Sequence, residues 1–198
     1  MPSYREVRAD FDRDSIVMYQ AYNDAIADAA LRAGRFVAPF SFGRMTWIKP
    51  SYLWLMERSG WGTKFNQIRI LAVRISRAGW DAALAQGVLT SYEPEINRSR
   101  EEWRESFDTA AVHVQWDPER SIHGKTLDHR AIQVGISRTL IGDYVSTWVQ
   151  EIRDLTELAD KVRRLRQAGN FQQAKRLLPR ESIYPVEEKT AMRLGIPA

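Results

Sequence analysis

Between Gln67 and Ser76 the chain reads QIRILAVRIS, with Ile68, Ile70 and Ala72 on one side of an extended backbone and Leu71, Val73 and Ile75 on the other. Side chains alternate across a strand, so apolar residues on both sides predict a central strand covered on both faces. Four further strands follow from shorter patterns. Tyr4 to Phe11 alternates apolar and charged positions, AVHVQW runs from Ala111 to Trp116 and is stopped by an Asp117-Pro118 turn, HRAIQVGI spans His129 to Ile136, and Val149 to Leu155 follows later.

Helical spacing marks the rest. The stretch IVMYQAYNDAIADAALRAGRF supports two readings: one long helix capped by Asp14 and stopped by Gly34, or a strand over Ile16 to Gln20 followed by a helix capped by Asn23. Phe36 to Phe42, which contains Pro39, reads as an apolar loop over the core. Trp80 to Ala85 is a short helix ended by Gly87, and Ser99 with Glu102 forms a capping box for a helix through Trp103 and Phe107. Ser137 caps a helix through Leu140, Tyr144 and Trp148. Thr156 opens a basic helix that Gly169 breaks from NFQQAKRLLP, giving a helical hairpin, and Pro185 and Pro197 bracket a last short helix. Strands and helices interleave without a βαβ rhythm, so the class is α+β with a mixed or antiparallel sheet and a helical C-terminal third. The chain reads as a single domain over 1–198, with a core over 1–155 and a basic helical extension over 156–198 packed on it.

The 198 residues are 44% hydrophobic and 27% charged, which suits a globular protein with a core of its own. There is no cysteine, so disulfides, thiolate metal sites and a cysteine nucleophile are excluded. His113, His123 and His129 lack metal-ligand spacing, and no metal is expected. No apolar run is long enough for a membrane span, and no secretory leader is legible, so a cytoplasmic home is the default expectation. A formal net charge of +4 directs attention to anionic partners.

One stretch concentrates candidate chemistry. RMTWIKPSYLWLMERSGWGTK, Arg44 to Lys64, carries Trp47, Trp54 and Trp61 among Arg44, Lys49, Arg58 and Lys64. Arg44 to Ile48 reads as a short strand, Pro50 suits a first helical position, and Gly60 suits a left-handed stop. A strand entering a helix through Lys49-Pro50-Ser51 would gather backbone N–H groups where an anion can sit. Alternation places Arg44 and Thr46 on one face, expected to border a polar cleft, and Met45 and Trp47 on the other. His113, between Val112 and Val114, reads as a structural histidine.

The segments VRADFD, MYQAYNDAIADAA, GRMTWIKPSYLWLMERSGWGTK, VQWDPER and RAIQVGI together resemble a bacterial and fungal family catalogued as a domain of unknown function. The resemblance covers nearly the whole chain and implies one domain without assigning an activity. The order MYQAY, helix, AGRF, GRMTWIKPSYLWL, ILAVRIS is more distantly similar to ADP-ribosyltransferase-like folds, including RNA phosphotransferase relatives. That similarity implies a split pair of small sheets and an NAD-binding cleft. It would put Gln20 at the first motif, Arg44 with Thr46, Ser51 and Tyr52 at the second, and Gln133, or less favourably Glu151, at the position of the glutamate. Gln20 and Gln133 depart from the His or Arg and the Glu of that pattern. On this reading Gln20, Arg44 and Gln133 are the candidate catalytic residues, Thr46, Lys49, Ser51 and Tyr52 bind the cofactor, and NAD is the substrate of a glycosidic transfer to nucleic acid or protein. Such a transfer needs an aromatic face, neutralised phosphates and a carboxylate near the developing oxocarbenium ion. Asp117 and Glu119 of WDPER are alternatives for that carboxylate.

A second class of function competes. The C-terminal hairpin places Lys161, Arg163, Arg164, Arg166, Lys175 and Arg176 on helices with few acidic partners, the pattern of a non-enzymatic nucleic-acid-binding module.

Overall fold

A computed structural model describes residues 4–197. The element order is β1 (Arg8–Ala9), β2 (Ser15–Tyr22), α1 (Asp24–Ala33), β3 (Thr46–Ile48), α2 (Tyr52–Ser59), β4 (Arg69–Ser76), α3 (Arg77–Ala85), β5 (Gly87–Leu89), α4 (Arg100–Thr109), β6 (Val112–Arg120), β7 (Thr126–Ile136) and α5 (Ile141–Asp143). A π-helical turn over Tyr144–Trp148, β8 (Val149–Asp154), α6 (Thr156–Gln167), α7 (Phe171–Arg176), β9 (Ser182–Ile183) and α8 (Glu188–Leu194) complete it.

These strands make two principal sheets and one small pair. The first sheet has the order β2-β4-β8, antiparallel throughout, and the second has the order β3-β7-β6-β5, in which only β5 against β6 is parallel. The class is therefore α+β with a mixed and an antiparallel sheet. The principal sheets touch where the Tyr19 N–H donates to the Lys49 carbonyl at 2.7 Å, and from that bridge β2 and β3 diverge.

As its pattern predicts, β4 is central. Leu71, Val73 and Ile75 join the main core with Met18, Ile48, Val114, Val134 and Trp80, while Ile70 faces a second cluster of Tyr19, Tyr52, Leu55, Met56 and Ala159. Between the two readings of residues 15–34, the split is the one adopted. β2 spends its β-branched start pairing with β4, and the Asn23 side chain accepts from the Ile26 N–H at 3.0 Å to start α1, which Gly34 ends at φ 66°.

Several boundaries move for local reasons. The N-terminal strand shrinks to β1, which pairs only with β9, a strand too short to show a pattern. Pro50 precedes the cap of α2 instead of opening the helix, because the Ser51 hydroxyl takes the Trp54 N–H at 3.1 Å. α3 begins three residues before Trp80, capped by Ser76, and Gly79 within it is required by proximity, since a Cβ there would lie 2.5 Å from Trp148. Asp117-Pro118 does not end β6. The strand continues to Arg120 with a register shift after Pro118, and the reversal falls at residues 121–125 around Gly124.

The C-terminal third is built into the fold at two levels. α6 and α7 pack as the expected hairpin around Val162, Ala174 and Ile122, while Tyr184 and Leu194 belong to the main core.

Candidate functional site

Over the fork between β2 and β3 lies a cleft of about 660 Å3. Gln20, Arg44, Thr46, Lys49 and Gln133, distant in sequence, all line it. Two of its walls follow from strand alternation. On the second sheet Gln133 pairs with Gln115 and Gly135 with Trp47, so Gln115, Gln133 and Trp47 share the face that Val114 and Val134 turn away from. Gly135 leaves room for that wall: a Cβ there would lie 2.6 Å from the Met45 sulfur and 3.1 Å from the Trp47 ring. Thr46 and Trp47 consequently both border the cleft from opposite sides of β3, where a polar face alone had been expected.

The electrostatics of the lining are one-sided. Arg44, Lys49 and Arg58 contribute three cations, six side-chain amides surround them, and no aspartate or glutamate is among the lining residues. Arg44 and Arg58 are exposed and form no ion pair with a described residue. Lys49 is 6% exposed, has no carboxylate partner among the described residues, and reaches only the Trp47 carbonyl at 3.5 Å, the limit of a hydrogen bond. Burial, reinforced by Arg58 and opposed by Asp117, pushes its ammonium down to about 8. An incompletely solvated amine facing a lining without carboxylates carries charge and hydrogen-bonding capacity that the described residues leave unmet.

Gln20 plays another part. Its Nε2 donates to the Tyr22 hydroxyl at 2.7 Å and to Thr46 Oγ1 at 3.0 Å, and its Oε1 accepts from the Tyr144 hydroxyl at 2.6 Å. Both ends of the amide are engaged, so Gln20 and Thr46 link the two arms of the fork. Gln133 lies on the floor, 8% exposed, its Nε2 donating to Asp117 Oδ2 at 2.6 Å.

Residues 6–184 match the family model described as Domain of unknown function (DUF4291). The chain belongs to this family. No curated protein matches the sequence. The matched span includes both principal sheets, the fork and every residue that lines the cleft.

Ser51 and Tyr52 do not reach the cleft of this family member. Ser51 caps α2, while the Tyr52 ring is buried edge-on against Tyr19 at 5.4 Å. The place at the start of α2 where an anion was expected is occupied by the protein's own carboxyl group: the Tyr52 N–H donates to Glu181 Oε1 at 2.7 Å. Burial pushes the Glu181 carboxyl up to about 8, with the Tyr52 N–H opposing and nearby Glu119 adding to the rise. Burial likewise raises Glu119. Glu119 thus lies away from the cleft, whereas Asp117 accepts from the lining residues Gln115 and Gln133.

The basic hairpin is distributed among other duties. Arg163 and Arg164 both pair with Asp160, and Arg166 lies 4.3 Å from the Trp61 ring centroid while donating to the Ile122 carbonyl. Lys175 and Arg176 remain exposed at the end of α7. His113 is structural, bonding the Phe107 carbonyl at 3.1 Å and packing edge-on against its ring. No helix among the described residues is long and apolar enough to cross a membrane.

Arg58, Gln115, Asn66 and Gln67 also line the cleft. Gln115 was open to detection, because it alternates with Val114 and Trp116 as Gln133 does with Ile132 and Val134. Asn66 and Gln67 carried no such signal, being placed by a turn in which Trp61 and Asn66 adopt positive φ.

Proposed function

We propose that the cleft binds a nucleotide through its phosphates, with NAD as the first ligand to test, and that the protein is an ADP-ribosyltransferase-like enzyme. The observation that carries the binding step is buried Lys49, without a carboxylate partner, in a cleft whose other charges are Arg44 and Arg58. A pyrophosphate would supply the missing negative charge, two arginines at the mouth could bind it bidentately, and Trp47 offers a ring face for a base. The split pair of sheets meeting at the Tyr19–Lys49 bridge, with Gln20, Arg44 and Gln133 around one hollow, is the arrangement this reading anticipates.

Transfer would break the bond between ribose C1′ and the nicotinamide nitrogen, whose electron pair leaves with the base. An acceptor nucleophile on nucleic acid or protein would then bond C1′ and release a proton. Asp117 is the group of suitable chemistry behind the lining, and both of its oxygens are held by amides. Its part would be electrostatic stabilisation of the cationic sugar.

The test is calorimetric titration of the wild type and of Lys49→Met and Arg44→Ala with NAD, ADP and inorganic pyrophosphate, alongside assay of nicotinamide release. Binding that falls at least ten-fold in Lys49→Met supports the reading. Absence of binding by all three ligands to the wild type overturns it, and binding without nicotinamide release removes the transfer step alone.

A further inference from the structure

We infer that the cleft floor recognises a paired hydrogen-bond donor on the nucleotide, through the amide oxygens of Gln115 and Gln133, and that Asp117 is the positioning residue that sets both amides. This rests on the nucleotide reading above and specifies what the ligand presents besides phosphate.

Gln115 and Gln133 are direct cross-strand partners on β6 and β7, which puts their Cβ atoms about 5 Å apart. Asp117, two residues along β6 on the same face, lies within reach of both. Its Oδ1 accepts from Gln115 Nε2 at 2.9 Å and its Oδ2 from Gln133 Nε2 at 2.6 Å. A carboxylate only accepts, so it engages the NH2 end of each amide and excludes the flipped arrangement, in which two oxygens would repel. Each glutamine is thereby left with its oxygen uncommitted: neither Oε1 accepts a hydrogen bond from any described residue, and both residues line the cleft. Gln20 is the contrast, since its oxygen is taken by Tyr144.

Two neighbouring acceptors that accept nothing from any described residue suit a ligand group with two adjacent hydrogens to donate. In a nucleotide that chemistry comes from the vicinal hydroxyls of ribose or from an NH2 on a base or carboxamide. The cations and this acceptor pair divide the cleft into a phosphate end and a donor-reading end. A site built to hydrogen-bond a donor rejects an analogue lacking it, because the acceptors are then left unpaired.

Titrations of the wild type with pyrophosphate, ADP, 2′,3′-dideoxy-ADP and inosine diphosphate, and with NAD against nicotinic acid adenine dinucleotide, separate the sources. The expected result is a loss of at least ten-fold for one analogue relative to its parent: the dideoxy compound for a ribose diol, the inosine or nicotinic acid compound for an NH2. Gln133→Met and Gln115→Met should then bind parent and analogue alike with pyrophosphate affinity unchanged. Asp117→Asn should lose the same discrimination while still binding pyrophosphate, an outcome a merely structural aspartate would not give. Equal binding of every analogue by the wild type, or a matching loss of pyrophosphate affinity in the glutamine variants, overturns the inference while leaving phosphate binding in place. If pyrophosphate and the nucleotides all fail to bind, the underlying reading falls and this one with it.

Discussion

The Tyr144 hydroxyl donates to Gln20 Oε1 across 2.6 Å and 124 positions of sequence, joining the π-helical turn to β2. Through Gln20 the contact extends to Tyr22 and Thr46, so one buried amide ties β2 to β3 at the point where the sheets part. Burial raises the Tyr144 hydroxyl well above its ordinary value, which favours the protonated, donating form. Gln20, reached from sequence as a catalytic candidate, is thus bonded to both arms of the fork and to the π-helical turn.

Tyr144→Phe should therefore act on stability. It leaves the Gln20 oxygen buried without a donor, at a cost of roughly 1–3 kcal/mol. Urea denaturation should show the midpoint shifted down with an unchanged slope, because the unfolded state exposes nearly the same surface. Gln20→Leu removes the acceptor and orphans the Tyr144 hydroxyl instead, so the double variant should be less destabilised than the sum of the two single changes.

Lys49 gives the cleft a pH signature. Its folded value of about 8 lies below its ordinary value of 10.5, so between those limits the unfolded chain binds more protons and stability rises with pH. Lys49→Met should remove that rise and be more stable than the wild type at pH 7, by on the order of 1–3 kcal/mol, since no charge is then buried. Anion binding works in the opposite sense by restoring the proton. Pyrophosphate affinity should fall as pH increases through about 8, and calorimetry at pH 8.5 in buffers of different ionisation enthalpy should register proton uptake that is much smaller at pH 6.5.

Glu181 predicts a second and opposite dependence. Its folded value of about 8 stands above the ordinary 4.5, so its contribution is complete below pH 4.5 and is lost as pH rises through about 8. Glu181→Gln keeps an oxygen for the Tyr52 N–H and deletes the titration. Between pH 5 and pH 8.5 thermal melts should shift in favour of the variant by on the order of 3–4 kcal/mol, because the folded chain holds the Glu181 proton up to about 8 while the unfolded chain loses it near 4.5. A wild type that gains stability between pH 5 and 8.5 relative to Glu181→Gln would refute the assignment.

How far the sequence carried the site depends on what kind of signal each residue had. β4 was legible because both of its faces are apolar, and the Asn23, Ser99, Gly34 and Gly60 signals all act within a few residues. Gln133 was legible as a polar position within an apolar strand, and Arg44 and Lys49 as cations at the two ends of the short strand before α2, although β3 itself covers only Thr46–Ile48. What their spacing could not carry was partnership: Glu181 lies 129 residues from Tyr52, and only the fold could show that the start of α2 is already occupied. The same holds for the π-helical turn, whose Trp148 packs against Gly79 of α3, and for Asp117, whose turn-like neighbour Pro118 disguised a strand residue.

Arg166 separates the structural and the nucleic-acid readings of the hairpin. It lies over Trp61, donates to the Ile122 carbonyl, and burial holds its guanidinium below the ordinary value. Such a contact contributes about 1 kcal/mol through the ring and a similar amount through the hydrogen bond. Trp61 opens the turn that brings Asn66 and Gln67 to the cleft, so Arg166→Met should destabilise the protein by roughly 1–2 kcal/mol and speed hydrogen exchange at Thr63 and Lys64, whose N–H groups bond back to Gly60 and Ser59. Charge reversal at exposed Lys175 and Arg176 should leave melting and exchange unchanged. If those reversals weaken binding of a single-stranded oligonucleotide and reduce its salt dependence, the exposed end of α7 is a nucleic-acid contact.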